Sequence, residues 1–581
     1  MGRASALGIL TSSLVFAFGA LVACGSRRDG FDDERAPNGG SPDEGGGLTL
    51  DGGFGGGGDD DDLPDLPAET RDPVDCAEAK TTKSYVGCDY WPTVTPNAVW
   101  SIFDYAVVVA NTGTKDADVT ITGPNDVNKT VKVPAGELRK IYLPWVPALK
   151  GGDADQCGRS PSLDNSVIVS EGAYHLVSSS PVIVYQFNAL QYKGEGGEGP
   201  DGGAKDWSSC PGTAQECPGS IFSPATRIGC FSFSNDASLL LPSTAMTTNY
   251  RVLAHNGAGG GLLGGGMATA LSITATEPDT EVTVSLSATA RVVASASGPT
   301  VPATSAGGKL TLRLSKAGDV AQLVSPPGQT YDFSGSLVQS NKPVQVIASV
   351  PCINIPSDKD ACDHIEESVP PAETLGKRYV ITPPTGPKGT PIQHKVRLYG
   401  NRDGTKLTYA PAKPGNCPDT LNAGQVADCG LLNSSFEVTG DQEFGVAAFL
   451  LGAEAYGGSI INPNRMGDPS QSTFASVEQF RTKYVFLAPN DYPVLWADIT
   501  ATEDAKIELD GKPLSAKWTK IGNGPFGVYR VDLTKSGQNG AHTLTSTKPV
   551  GMQVIGFGDN TSFQYPAGLN LDIIAPPPPP K

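Results

Sequence analysis

A chain of 581 residues with 70 Gly and 48 Pro has room for roughly three to five domains and too many turn formers for long helices. Its net charge of −18 is concentrated, because residues 25–70 carry thirteen Asp and Glu against three Arg and so supply −10 of the total. The remainder is only mildly acidic and lacks the clustered Lys and Arg that phosphate binding needs, which excludes nucleic acid as a partner.

The chain opens as a sorting signal. Arg3 gives a positive start, Ala6 to Leu21 form an apolar run, and Leu21-Val-Ala-Cys24 closes it. Residues 1–23 therefore read as a signal peptide outside the fold, too short in its apolar part for a permanent membrane span. The Leu-Val-Ala-Cys ending resembles a bacterial lipobox, which makes Cys24 the lipidation site. Acyl chains there hold a protein on a membrane because each buried methylene contributes about 0.8 kcal/mol. Gly25, where an Asp would imply retention at the inner membrane, implies the outer membrane and the cell surface.

Residues 24–75 have almost no β-branched or aromatic content, and Gly52-Gly-Phe-Gly-Gly-Gly-Gly-Asp-Asp-Asp-Asp62 cannot bury enough apolar surface to offset its ordering entropy. This segment is expected to be a disordered Gly/Asp-rich tether, spanning on the order of 40 Å or more as a coil. A calcium-binding glycine-aspartate repeat needs many stacked copies, and one is present.

From residue 76 the pattern turns to short strands with period two, such as Tyr105–Asn111, Asp118–Gly123 and Thr130–Gly136, each closed by Asn or Gly. Four segments repeat one strand-turn-strand ending: from Ala173, Ser334, Ser435 and Ala541. The run from Leu271 also answers the one from Ala497, with a looser copy from Val396. Pro181, Pro343 and Pro549 recur at an average of about 100 residues per copy, a sandwich length rather than a propeller blade of about 40–50. The expected fold is all-β: tandem antiparallel β-sandwich modules joined by disulfide- and proline-containing linkers. Module limits are drawn at 76–235 (with an insertion near 193–230), 236–355, 356–465 and 466–570, before a Pro-rich tail at 571–581. The best helix candidate is Phe474–Lys483.

Eleven cysteines become ten once Cys24 takes lipid, and an even number in an exported chain reads as a disulfide set. Spacing pairs Cys76 with Cys88, Cys352 with Cys362, and Cys417 with Cys429. Cys157, Cys210, Cys217 and Cys230 allow three connectivities, of which Cys210 with Cys217 and Cys157 with Cys230 is favoured. Short CxxC pairs suited to zinc are missing, so neither metal nor cofactor is expected.

The joints between copies are the most specific feature. Residues 343–379 run from a hairpin return strand to Cys352, then Cys362-Asp363-His364, Glu366 and Glu367, the pair Pro370-Pro371, and Gly376 before Tyr379. This resembles the joint motif of the IgGFc-binding protein N-terminal domain family, with a degenerate copy from Asn235 that keeps Pro242 and Tyr250. The resemblance spans 76–565 and implies a β-rich extracellular binding protein. The family's name implies affinity for immunoglobulin Fc, but the matching residues are those that fold a module, and a fold does not convey its ligand. Fc is therefore the minor reading of the partner.

Catalytic signals are sparse. The five histidines, His175, His255, His364, His394 and His542, form no HExxH helix and sit near no GxSxG elbow. His175 and His542 fall in the repeated hairpins at positions expected to face solvent, and His364 is expected to cap or pack beside its disulfide. Glu366 and Glu367 are adjacent and, on a strand, face opposite ways. Candidate binding aromatics are Trp91 and Trp100 in the Cys88–Tyr105 stretch and Tyr492 and Trp496 beside a loop, since large aromatics anchor interfaces. For Trp91 and Trp100 closure of the first sandwich is the favoured role, ahead of binding. The sequence thus describes a non-catalytic surface lipoprotein that binds an extracellular glycan or protein, with adhesion as the leading class. A structural part in an envelope or motility assembly is the alternative, and a secreted hydrolase ranks third.

Overall fold

A computed structural model describes residues 72–217, 225, 227–259, 266–298, 300–359, 362–457, 466–534 and 540–579. The signal segment, Cys24 and the tether as far as residue 71 lie outside them. Period-two runs rich in Val, Ile, Thr and Tyr favour pleated backbone, and the described residues form 32 strands with helical pieces of at most four residues.

The strands fall into four sets of eight. The first is β1 (Gly87–Tyr90), β2 (Tyr105–Asn111), β3 (Ala117–Gly123), β4 (Val127–Val133), β5 (Leu138–Leu143), β6 (Val167–Val169), β7 (His175–Phe187) and β8 (Ala237–Leu239). The second is β9 (Asn249–Arg251), β10 (Ala270–Ala275), β11 (Thr280–Ser285), β12 (Lys309–Leu314), β13 (Val320–Val324), β14 (Leu337–Ser340), β15 (Val344–Ile353) and β16 (Asp363–Ser368). The third is β17 (Arg378–Ile381), β18 (His394–Gly400), β19 (Thr405–Ala410), β20 (Thr420–Leu421), β21 (Val426–Leu432), β22 (Phe436–Gly440), β23 (Phe444–Phe449) and β24 (Gln471–Thr473). The fourth is β25 (Arg481–Leu487), β26 (Val494–Thr502), β27 (Ile507–Leu509), β28 (Lys512–Pro513), β29 (Thr519–Lys520), β30 (Phe526–Asp532), β31 (Ala541–Gly558) and β32 (Thr561–Pro566).

One pairing plan serves all four. The second set makes sheets β12-β11-β14-β9 and β16-β15-β10-β13, and the third makes β20-β19-β22-β17 and β24-β23-β18-β21. In the first and fourth sets the two central strands are continuous. The first half of β7 pairs with β1 and β3 and its second half with β2 and β8; β31 does the same with β25 and β27, then β26 and β32. Pro181 and Pro549 lie where these long strands leave one ladder for the other, a place where a missing N–H costs no ladder bond. One strand crosses between sets: β6 adds to the edge of β13.

A tyrosine latch repeats in every set. The phenol oxygens of Tyr90, Tyr250 and Tyr379 donate to the carbonyls of Val182, Val344 and Phe444 at 2.6, 2.5 and 2.6 Å, and Tyr484 donates to Val550. The acceptors open the equivalent return strand in each set. In three of the sets the phenol also accepts the backbone N–H three residues earlier, from Thr247, Gly376 and Arg481 at 3.1–3.2 Å. All four tyrosines are fully buried.

The sets close on one another. β8 packs against β16 and β32, and β24 packs against the same two, so the four terminal strands surround a common centre. A shared apolar core joins the first set to the fourth through residues such as Val108, Tyr185, Tyr484 and Tyr565. The core of the second set takes in Tyr399, Ala447 and Phe449 of the third. In each of the first three sets the terminal strand comes after the module limit drawn from sequence: β8, β16 and β24 pair with β7, β15 and β23. The chain-breaking residues Pro242, Pro371 and Ser476 follow these strands rather than preceding them, each capping a short 3₁₀ turn. The Phe474–Lys483 stretch accordingly forms the turn Val477–Gln479 and the start of β25 instead of a helix, since its backbone is claimed by the neighbouring ladders.

Replacing Tyr379 with Phe leaves the Gly376 N–H and the Phe444 carbonyl without their phenol. The expected loss is about 1–3 kcal/mol of stability, read as a lower denaturant midpoint with unchanged slope.

Candidate functional site

The joint motif leads into the centre of the molecule. Asp236 and Asp363 are fully buried and accept from the backbones of several sets. The Asp236 carboxylate takes the N–H of Glu366 and of Gln471, both at 3.0 Å, tying the first set to the second and third. Asp363 takes the Asn235 N–H at 2.5 Å and the Thr561 hydroxyl at 3.2 Å, tying the second to the first and fourth. The Ser562 hydroxyl donates to the Asp468 carbonyl and completes the circuit. Burial pushes the carboxyls of Asp363, Asp236 and Glu367 up; the nearby Asp468 and Asp236 push Asp363 in the same direction.

Glu366 and His364 are enclosed in the same region. The Glu366 carboxylate accepts from Thr95 Oγ1 at 2.8 Å, Asn188 Nδ2 at 2.7 Å and Gln186 Nε2 at 3.1 Å. His364 Nδ1 lies 3.1 Å from the Val350 carbonyl, so that nitrogen carries the proton and Nε2 faces Thr95 Oγ1 at 3.2 Å. Both side chains are wholly buried. Carboxylates that accept hydrogen bonds from strands of different sets act as clamps, and transferring a proton to an outside substrate would require access that they lack.

The sequence candidates are distributed differently from expectation. Trp91 and Trp100 are buried, at 6 and 3 % exposure, in the apolar core of the first set, the sandwich-closing place favoured for them, whereas Tyr492, read as a binding aromatic beside a loop, is also buried, at 3 % exposure. Trp91 stacks on His175 with ring centres 4.1 Å apart, Trp100 Nε1 donates to the Ala154 and Asp155 carbonyls at 3.1 Å, and Tyr492 packs on Phe563 at 4.8 Å. Trp496 is half-buried on β26, over Gly389. His542, expected at the surface, is buried with Nδ1 2.8 Å from Asp510 Oδ2, and His175 is partly covered and 2.8 Å from Asp89 Oδ2.

Five disulfides are formed: Cys76–Cys88, Cys157–Cys217, Cys210–Cys230, Cys352–Cys362 and Cys417–Cys429. The favoured link between Cys210 and Cys217 is thus replaced. The 3₁₀ turn Pro211–Thr213 separates the two sulfurs, leaving Cys210 in the aromatic core while Cys217 reaches the Gln156 carbonyl at 3.6 Å. Among the described residues no group of three or more His, Cys, Asp or Glu could hold a metal ion, and no helix is long and apolar enough to cross a membrane.

The family model described as "IgGFc binding protein" matches residues 236–556, more than half of the chain. The chain belongs to this family, a class of extracellular binding domains. No curated protein matches it. A solved structure, "Crystal structure of tetra-tandem repeat in extending region of large adhesion protein", is 11 % identical with a TM-score of 0.08, covering 84 % of this chain and 99 % of that one. The terminal strands of the second and third sets fall inside the matched span, so the centre described above is built largely from family residues.

His394 is wholly buried on β18, and neither ring nitrogen has a hydrogen-bond partner. Burial, aided by Arg530, pushes its pKa down to about 3. A depressed folded value means that its contribution is present above the unfolded pKa of about 6.5 and is lost as pH falls through that value toward the folded one. Stability measured from pH 7 to 4 should therefore fall, relative to a His394→Gln variant, with a slope approaching 1.4 kcal/mol per pH unit below pH 6. Parallel profiles for the two proteins would contradict the neutral, buried state. In a non-reducing peptide map, Cys157 should appear joined to Cys217 and Cys210 to Cys230.

Proposed function

We propose that this protein is a lipid-anchored, non-catalytic binding protein of the outer-membrane surface, with adhesion to an extracellular glycan or protein as its role. Its four sandwich modules, following the limits 76–235, 236–355, 356–465 and 466–570 with each terminal strand added to the preceding module, form one body. The observation that carries this reading is the disulfide pairing of all ten cysteines from Cys76 to Cys429 in a chain of an extracellular binding family. Disulfides persist in oxidising compartments, and the Cys24 lipobox and acidic segment 24–75 supply an anchor and a spacer for a body placed there. Immunoglobulin Fc enters as a partner through the family's name alone.

Labelled palmitate should enter the full-length protein and not a Cys24→Ala variant, which should appear in the medium or periplasm instead of the membrane fraction. Full-length protein recovered from intact cells should carry a saturable glycan or protein partner. Recovery of lipid alone, with no binding on glycan arrays or to Fc, would remove the adhesion reading while leaving the anchor intact.

A further inference from the structure

The four sets meet at seams built to one plan, in which the outward face of the second strand of each set lies against the preceding set. Register places Val108, Ser272, Arg397 and Asp498 at the same position, opposite Tyr185, Ile347, Ala447 and Gln553. One residue pair earlier on that face stand Ala106, Ala270, Lys395 and Trp496. Each seam fills this place differently. Between the fourth and first sets the face is apolar and packed. Between the first and second, the connector after β5 fills it: β6 adds to β13, and Gln322 donates to the Leu149 carbonyl at 3.0 Å. Between the third and fourth, Asp498 accepts from Arg530 at 2.9 Å and from Thr385. Only the seam from second to third carries two cations at these positions, and they line a cavity of about 400 Å³ together with His255, Gln329, Asn354 and Asp428.

The polar groups of this cavity are incompletely used. Arg397 is 6 % exposed, and its Nη atoms are held by Asp332 at 2.9 Å and Asn256 at 2.8 Å. Its Nε makes no hydrogen bond, the nearest carboxylate oxygen being that of Asp428 at 3.7 Å. Lys395 Nζ lies 2.9 Å from the same Asp428, whose side chain is 42 % exposed at the rim. His255 Nδ1 is 3.1 Å from the Asn256 carbonyl and so carries the ring proton, which leaves buried Nε2 as an acceptor with no partner. Burial, with Arg397 and Lys395 beside it, pushes the His255 pKa down and keeps the ring neutral. A buried cationic donor and a buried acceptor without partners each leave desolvation uncompensated.

We propose that this seam is a binding site for a small hydroxy acid of the acidic-sugar class, a free uronic acid or one ending a glycan. The ligand carboxylate takes the place of Asp428 between Lys395 and Arg397 Nε while Asp428 swings into solvent, and a ligand hydroxyl donates to His255 Nε2. The volume falls within the range of about 300–1,000 Å³ usual for small-ligand sites. The site is independent of the membrane anchor, and its test with a free sugar acid requires neither that anchor nor the macromolecular partner proposed above.

Calorimetry of the purified full-length protein with D-glucuronate, D-glucose and methyl D-glucuronate ester distinguishes the outcomes. Glucuronate should bind saturably, and the two neutral sugars about tenfold more weakly or not at all, since they lack the charge-assisted contacts. Lys395→Gln should weaken glucuronate about tenfold, whereas Asp428→Asn, which removes the competing carboxylate, should tighten it. Should Lys395→Gln fail to fold, the exposed Asp428→Asn change still decides the matter. No saturable glucuronate binding, equal binding of the neutral sugars, or binding indifferent to Asp428→Asn overturns the proposal.

Discussion

The architecture depends on two buried carboxylates. Asp236 and Asp363 accept N–H and O–H groups from all four sets, so each set contributes a donor to a neighbour's acid. A buried polar group without its partner costs about 1–3 kcal/mol, and more when charged. Losing one set therefore strands groups in the others, and this interdependence makes the four strand sets one body instead of beads on a string. Breaking such a network differs from never having built it: an apolar centre could be as stable, but greasy strands would not fix which set meets which.

Within each set the ordering element is the tyrosine latch. It fixes the first strand against the opening of the return strand, at the point where the backbone passes from one sheet to the other. Two sets make that passage with continuous strands and two with a turn, yet the phenol finds the equivalent carbonyl in all four. The latch is thus indifferent to how the crossing is made. Proline at the crossing in three of the sets serves the same end by removing an N–H that neither ladder would use.

Much of this plan is legible in the chain because it is written locally. Period-two runs, the repeated hairpin ending, and the spacing from Pro371 to Tyr379, matched by Pro242 to Tyr250, encode strands and latch within a few dozen residues. Closure is not written that way. Asp236 and Gln471 are bonded across 235 positions, and nothing in the period of either segment announces the other. The same gap explains Tyr492, which stands in a segment that looks like a loop and is buried against Phe563 and against Tyr192 of the first set. Among the cysteines, the three pairs 10–12 residues apart are local and readable from spacing, whereas Cys157 and the three in the insertion are sorted by a 3₁₀ turn that spacing cannot reveal.

Closure also constrains where specificity can lie. The repeat holds strand pairing constant, and the positions free to diverge are those facing outward from the second strand of each set, which the ring converts into seams. Val108, Ser272, Arg397 and Asp498 are one position in four chemistries. At that position three of the seams spend the divergence on packing, on a borrowed strand or on an internal ion pair. At the fourth, Arg397 and Lys395 bring more donor capacity than Asp332 and Asp428 absorb. A repeat protein whose latch recurs in every set and whose centre ties the sets together has few other places in which to vary chemistry without unmaking its fold, and a seam can change while both remain intact.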